Sequence, residues 1–206
     1  MKSIYLFIII SIFQNGNSQF KTAFDIQNNN IKVVYFEANQ VSEIYIETHK
    51  QSKFQLNSSS EGSYKTDLFF NYQIHQDSLI IKSSYPKNLE FGDNKMTSMQ
   101  EFSVRVNFKM PKNLKLVINS DLATVYGQGR FQNFQLNTKS GQCQLKAFYG
   151  DADINTYNGN ISITTKDADV EAYSQNGKVE VYDFLVYKNQ IKLKTVNGNI
   201  IVTQME

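Results

Sequence analysis

Four aspartates are the residues of this sequence whose type and spacing could carry chemistry. Asp151 and Asp153 flank one alanine, and Asp167 and Asp169 flank another alanine further along the chain. If the two segments stack as neighbours, their carboxylates could gather a Ca²⁺ ion or act as an acid/base pair on a glycan. The glycine-rich calcium repeat G-G-x-G-x-D-x-U-x is absent, however, and Asp is also common at solvated turns.

Tyrosines are the second group of candidates. Rings on a flat sheet could stack on sugar faces or contact a protein partner, although Tyr is also favoured in strands for packing alone. Those of the repeated region are Tyr149, Tyr157, Tyr173, Tyr182 and Tyr187. The candidate partner-binding residues are therefore Tyr149, Tyr157, Tyr173, Tyr182, Asp151, Asp153, Asp167 and Asp169.

Other motifs that carry chemistry are missing from the sequence. His49 and His75 have no metal-site spacing, and no G-x-S-x-G elbow, Walker loop or dinucleotide fingerprint occurs. We therefore expect no catalytic residue, no metal and no cofactor. Lys plus Arg number 21 against 19 for Asp plus Glu, without a basic run, so nucleic acid is not expected as a partner.

A short pattern that returns five times must position these residues. Its anchors recur at a nearly constant interval, with a slightly longer one before the last. A hydroxyl residue stands three before each anchor, and small or apolar residues stand five before it and two after it. The anchors are Ala123, Gly141, Gly159, Gly177 and Gly198, and the hydroxyl residues are Ser120, Thr138, Thr156, Ser174 and Thr195. A unit this short cannot bury its own apolar face, so the units must stack on one another.

Each unit has the pattern strand, tight corner, strand. Alternation such as Ile161-Ser162-Ile163 indicates strands, and Asn-Gly pairs such as Asn158-Gly159 tolerate positive φ at the corner. Two architectures fit. In a β-solenoid the hydroxyl residues of successive units form one inward column, whereas in a meander each Asn-Gly is a hairpin turn. The constant spacing favours the β-solenoid with coils of about 18 residues.

The preceding half of the chain alternates without a fixed spacing. The predicted strands are Ile31 to Glu37, Glu43 to Thr48, Lys53 to Leu56, Tyr64 to Tyr72, Ser78 to Ser83 and Glu101 to Met110. We expect an all-β protein in which residues 20–110 form an irregular region that caps the solenoid of residues 111–206. Two domains with a boundary near Pro111 are the alternative.

Two segments interrupt the strand pattern. Pro86 to Gln100 is long and polar and is expected to be a loop, either a simple insertion or a partner-binding one. A shorter insertion falls within Asp183 to Gln190, between the last two anchors.

The beginning of the chain, residues 1–19, predicts export. Lys2 precedes an apolar run from Ile4 to Phe13, and Gly16-Asn17-Ser18 offers a small-residue cleavage site. The run is too short to span a bilayer, and Cys143 is the only cysteine, so neither a membrane span nor an intrachain disulfide is expected. We expect Cys143 to be a small buried hydrophobe.

The chain resembles the putative adhesin family of exported bacterial envelope proteins. The features that carry the resemblance are the export signal, the strand pair around Ile44-Tyr45-Ile46, the Val104 to Pro111 run with the segment FKMPKNLKLVINS, and then TKSGQCQL, TYNGNISI, SQNGKVEV and TVNGNIIV. The resemblance implies an extracytoplasmic, solenoid-like β protein with an adhesive or envelope role and no catalytic motif.

The function expected from the sequence is that of a noncatalytic binding module of the cell envelope. We expect the protein to lie outside the cytoplasm, in the periplasm, on the cell surface or in the medium. Its partner would be a protein or a glycan at the cell surface. The alternative is a glycan-processing β-helix enzyme that uses the surface aspartates.

Overall fold

The computed structural model describes residues 23–27, 30–61, 69–84 and 103–206. The predicted export signal of residues 1–19 and the predicted loop of residues 86–100 lie outside these ranges. No helix within the same ranges has the length and hydropathy of a bilayer span.

Strands make up most of the described part of the chain, which contains no helix. They are β1 Ala23–Gln27, β2 Val33–Glu37, β3 Glu43–His49, β4 Lys53–Glu61, β5 Phe69–His75, β6 Ser78–Ser84, β7 Ser103–Pro111, β8 Lys115–Ser120, β9 Thr124–Ser140, β10 Cys143–Asn158, β11 Ile161–Thr165, β12 Ala168–Ser174, β13 Val179–Val181, β14 Asn189–Asn197 and β15 Ile200–Gln204. Together they form one open sheet of 15 strands. The all-β prediction is confirmed, and the short strand β1 was not predicted.

Alternation of apolar and polar residues explains the strands. In β7, Val104, Val106 and Phe108 are buried, and the residues between them are exposed. A strand with one wet face was predicted here from the sequence, because side chains of successive residues point to opposite faces of a sheet.

Most strands belong to two parallel runs. One run is β6–β2–β8–β9–β10–β14–β12, and the other is β7–β3–β9–β10–β11–β15–β13. The long strands β9 and β10 belong to both runs. Their N-terminal parts lie in the run that contains β3, and their C-terminal parts lie in the run that contains β8. A strand of the first run and the strand of the second run at the same level of the stack form what we call a layer. Strands β14 and β15 form one layer, and β12 and β13 form the next. Strands β1, β4 and β5 pair antiparallel at the margin of the sheet.

The parallel register brings like positions of the repeated pattern together. Ser120 pairs with Thr138, and Thr138 pairs with Thr156, each partner being the equivalent residue of the next unit. No hairpin forms at the Asn158-Gly159 corner. The part of β10 before the corner pairs with β14, and β11 after the corner pairs in parallel with the first part of β10, Ile161 lying beside Cys143. The hairpin meander is therefore wrong for these strands.

The layers do not follow the order of the chain at the end of the stack. Thr195 lies between Thr156 and Ser174, because β14 pairs with β10 on one side and with β12 on the other. The expectation that successive units lie on one another is correct up to Thr156 and wrong for the last two units. The insertion predicted within Asp183 to Gln190 lies in the connection from β13 back to β14.

Burial gives a physical reason for this order. The inserted layer carries Ile191 and Leu193, which are almost fully buried, whereas their partners Val170 and Ala172 in the terminal layer are only partly buried. Because apolar burial stabilises in proportion to area, the fold gains when the layer with the smaller side chains ends the stack.

Close approach between layers explains the recurring glycines. A Cβ atom at Gly159 would overlap the carbonyl oxygen of Gly141, and one at Gly198 would overlap the carbonyl oxygen of Gly159. Among the anchors only Gly141 has a positive φ, at 125°. The glycines of the Asn-Gly corners, which the sequence predicts to accept a positive φ, do not adopt one, and close approach between layers is what requires glycine there.

The hydroxyl column consists of hydrogen-bonded side chains that are mostly buried. Ser120 donates to the carbonyl oxygen of Ala38 at 2.8 Å, and Thr156 donates to Oγ1 of Thr195 at 2.9 Å. Thr195 in turn donates to the carbonyl oxygen of Gly159 at 3.1 Å. Cys143 is buried in the core, as predicted, and burial raises the pKa of its thiol.

Candidate binding surface

A row of side-chain amides crosses the outer face of the first run of strands. Asn119, Asn137 and Asn155 occupy matching positions of β8, β9 and β10. The side chain of Asn137 donates to Oδ1 of Asn119 at 3.1 Å, and that of Asn155 donates to Oδ1 of Asn137 at 3.4 Å. We call these three residues the amide column. Since an amide has two N–H groups, Asn137 keeps one for a ligand after donating to Asn119.

A cation and an aromatic ring extend the amide column towards the end of the stack. Asn155 is the Cα partner of Lys194, and Lys194 is the Cα partner of Tyr173. Both side chains are exposed, and Tyr173 retains 62% of its accessible surface. The row therefore offers amides, an ammonium group and a ring to one long ligand.

A shallow groove of about 450 Å³ lies along the amide column. Tyr157, 56% exposed, stands at its wall, together with Lys139, whose ammonium group is 2.7 Å from Asp121. An exposed ring beside amides and a charged pair can stack on an apolar face of a ligand while polar groups bind its hydroxyls. The groove is open, as expected of a surface for a large ligand.

A second groove, of about 330 Å³, lies on the outer face of the other run. Tyr45 and Tyr126 stack there, with their ring centroids 4.7 Å apart. Polar side chains from neighbouring strands, including Asn107 and Gln144, complete the groove. This pair of rings was not predicted as a candidate.

Glu43 organises the first of these two rings. Its carboxylate accepts a hydrogen bond from Nε of Arg105 at 2.7 Å and one from the Tyr45 hydroxyl at 3.2 Å. Removal from water raises the pKa of Tyr45, and the negative charge of Glu43 raises it further. Tyr45 therefore keeps its hydroxyl proton, which it donates to Glu43, to a higher pH than an unperturbed tyrosine would.

The four candidate aspartates are not brought together. Gln190 lies between Asp151 and Asp169, and Lys192 lies between Asp153 and the next carboxylate, Glu171, because β14 separates β10 from β12. The expected gathering of carboxylates on adjacent layers assumed that the layers follow chain order. In the ranges that the structure describes, no three His, Cys, Asp or Glu side chains are grouped as a metal site would require.

Each of three aspartates has a local partner instead. Asp151 accepts a hydrogen bond from the backbone N–H of Gln190 at 2.9 Å, and Asp153 accepts one from the Asn155 side chain at 3.0 Å. Asp167 pairs with Lys188 at 3.2 Å. These contacts hold corners and neighbouring layers, and the role of the aspartates in binding a partner stays a prediction.

The candidate tyrosines lie apart from one another. Tyr149 is held at a corner, where the Arg130 guanidinium lies 4.4 Å from its ring centroid. Tyr182 packs edge-on against the buried ring of Phe184, at 5.2 Å between centroids. Among these tyrosines, Tyr157 and Tyr173, together with the exposed Tyr187, present rings with most of their surface free.

The amide column was not predicted, although the spacing of its asparagines in the sequence indicates it. Asparagine stands four residues before the first three anchors, at positions 119, 137 and 155, and Tyr173 and Lys194 hold the same phase in the last two units. The second groove carries no such signal, because Tyr45 and Tyr126 come from strands that lie far apart in the chain, β3 and β9.

The chain is similar to known proteins in its fold and not in its sequence. It matches no protein-family model and no curated protein. Among solved structures, a Clostridium sporogenes protein named a putative cell adhesion protein has a TM-score of 0.66 and 13% identity, over 91% of this chain and 100% of that one. A Bacteroides fragilis protein named a putative adhesin has a TM-score of 0.38 and 10% identity, over 90% and 98%.

A third neighbour, from Parabacteroides distasonis, is named a putative lipid binding protein and has a TM-score of 0.27 and 12% identity, over 93% and 98%. At such identities similarity concerns the fold alone, and of these three only the Clostridium protein is close enough to carry an argument. This chain shares the all-β fold of that solved protein over nearly its whole length.

Proposed function

We propose that this chain is a noncatalytic adhesive module that binds a glycan on the outer face of a β-solenoid, outside the bacterial cytoplasm. The observation that carries this proposal is the amide column, continued by Lys194 and Tyr173 and bordered by Tyr157. Amides offer both donors and acceptors to sugar hydroxyls, and exposed rings stack on the apolar faces of sugars.

The solenoid part of the proposal rests on register. Parallel partners at equivalent positions of successive units, such as Thr138 and Thr156, are what stacked coils of constant length produce. We also propose that the strands before residue 111 cap this stack within the same domain. The parallel pairing of β2 with β8 and of β3 with β9 supports that arrangement.

The location outside the cytoplasm rests on two observations. Residues 1–19 have the charged start, apolar run and small-residue site of an export signal. The Clostridium protein with the same fold is named a putative cell adhesion protein. The separation of the aspartates by Gln190 and Lys192 gives no support to the glycan-processing alternative.

A glycan array with the purified protein tests this function. We expect the wild type to bind a subset of the glycans. The double variant Asn137→Ala, Asn155→Ala should bind them at least about tenfold more weakly, since two amides that face the ligand are removed. Gln204→Ala, which removes an exposed amide of β15 that lines neither groove, is the matched control and should bind as the wild type does. Glycan binding that survives the double variant would overturn the proposed surface. A pull-down from envelope fractions that captures only proteins would overturn the glycan ligand.

A further inference from the structure

The terminal layer of the stack has an unpaired edge. Strand β12 pairs with β14 on one side, and β13 pairs with β15 on one side. Within the described ranges, no strand pairs with the other side of either one. A strand edge of this kind presents a row of free N–H and C=O groups to an incoming chain.

Apolar side chains accompany these free backbone groups. Ile200 and Val202 of β15 are 0% and 2% exposed, whereas their Cα partners Val179 and Val181 in β13 are each 41% exposed. Val179 and Val181 thus occupy positions equivalent to those of core residues, yet they are partly exposed at this edge. Free backbone groups with apolar side chains at alternate positions are the two features that strand addition uses.

The outward positions of the same edge are acidic. Asp169 and Glu171 alternate along β12, and Glu180 stands in the middle of β13. A symmetric antiparallel pairing of two copies centred on Glu171 or Glu180 would place like charges opposite each other, which is unfavourable. The charge pattern therefore favours a basic partner over a second copy of this chain.

Strand β14 shows what kind of segment fits β12. Lys192 lies beside Glu171, with 3.7 Å between the ammonium group and the carboxylate, and the flanking Ile191 and Leu193 lie beside Val170 and Ala172. In a parallel stack each layer presents the same alternation of side chains to the layer above and to the layer below. The free edge of β12 is therefore suited to a strand that, like β14, alternates apolar and basic residues.

We infer that the free edge of β12 binds an extended polypeptide segment in which apolar residues alternate with lysine or arginine, by strand addition. Backbone hydrogen bonds would supply affinity, and Asp169 and Glu171 would select basic residues at alternate positions. This surface lies at the end of the stack, apart from the amide column, and does not depend on the proposed glycan.

Peptide binding to the full chain tests the inference. The probe is the synthetic peptide NQIKLKTVN, which has the sequence of β14, and its control carries Glu in place of both lysines. We expect the lysine peptide to bind at least about tenfold more tightly than the control, with an affinity that falls as salt is raised. The double variant Asp169→Asn, Glu171→Gln should bind it at least about fivefold more weakly and melt at an unchanged temperature.

Matched controls separate this edge from other surfaces. Asp121→Asn removes a surface carboxylate far along the stack, and Asn137→Ala with Asn155→Ala removes amides of the column, so both should leave peptide affinity unchanged. Amide NMR shifts should change along β12. Equal binding of the two peptides, no binding of the lysine peptide at low salt, shift changes confined to β10, or dimerisation of the protein through this edge would each overturn the inference.

Discussion

Thr156 donates a 2.9 Å hydrogen bond to Thr195, which is 39 residues further along the chain. Ser174 is nearer in the chain and holds the same position of the repeated pattern, yet it lies one layer further out, beside Thr195. This relationship fixes the order of the last layers. It also determines which residues share the candidate surface and which strand has the free edge.

The side-chain phase of β11 predicts opposite effects for neighbouring residues. Ile163 is fully buried between Leu145 and Val202, so Ile163→Asp should destabilise the fold by about 4 kcal/mol or more, since an unpaired carboxylate would be buried. Ser162 points outward, and Ser162→Asp should change stability by less than about 1 kcal/mol. Urea denaturation followed by circular dichroism measures both. Similar losses in the two variants would contradict the assigned phase.

Close approach between layers predicts the effect of a single methyl group. Gly159→Ala would press Cβ against the carbonyl oxygen of Gly141, so we expect a loss of about 1 to 3 kcal/mol from forced displacement of backbone. Gln144→Ala, at a half-buried outward position, is the control and should cost little. If Gly159→Ala were as stable as the wild type in thermal denaturation, the layers could not be stacked as tightly as described.

The hydroxyl column predicts a measurable cost for a change of nearly equal volume. Thr156→Val removes the hydrogen bond to Thr195 and replaces the hydroxyl by a methyl group, and we expect a loss of about 1 kcal/mol. Thr164→Val removes a comparable contact, at 3.1 Å from Thr203, on the exposed face and should cost less. Equal effects in chemical denaturation would argue against a buried column.

The buried thiol predicts a dependence of stability on alkaline pH. Burial raises the pKa of Cys143 in the folded state, so the folded chain keeps its proton at a pH where the unfolded chain loses it. The resulting stability is complete below the unfolded thiol pKa of about 8.5 and is lost progressively as pH rises above that value. Urea titrations across this range should show the decline in the wild type.

The control for this prediction is Cys143→Val, which has no ionisable group at the same position. Subtracting its stability at each pH removes the contributions of all other groups, and the difference should fall with rising pH. A difference that stays constant, or a folded protein whose thiol reacts with Ellman's reagent as fast as free cysteine, would show that Cys143 is exposed.

The sequence predicted local structure well because alternation is a local property. The buried and exposed residues of β7, and the matching positions of Thr138 and Thr156, follow from periods that can be counted along the chain. The equal spacing also favoured parallel stacking over hairpins, which the register of β10 with β11 bears out.

The order of layers could not be counted in the same way. Both β12 and β14 have the phase that fits beside β10, and only a comparison of their buried side chains, Val170 and Ala172 against Ile191 and Leu193, favours β14. The predicted carboxylate cluster failed for the same reason. Asp153 and Asp169 could meet only if β10 and β12 were neighbours, and β14 lies between them. The tyrosine pair of the second groove depends on long-range pairing and leaves no periodic signal.

Disulfide cross-linking in a Cys143→Ala background tests the order of the layers most directly. Paired cysteines at Asn155 and Lys194 replace Cα partners, which lie within the distance that a disulfide can bridge. Paired cysteines at Asn155 and Tyr173 would be neighbours only if the layers followed chain order. We predict that Asn155→Cys with Lys194→Cys forms the disulfide rapidly under mild oxidation and that Asn155→Cys with Tyr173→Cys does not. Cross-linking of the second pair in preference to the first would contradict the account.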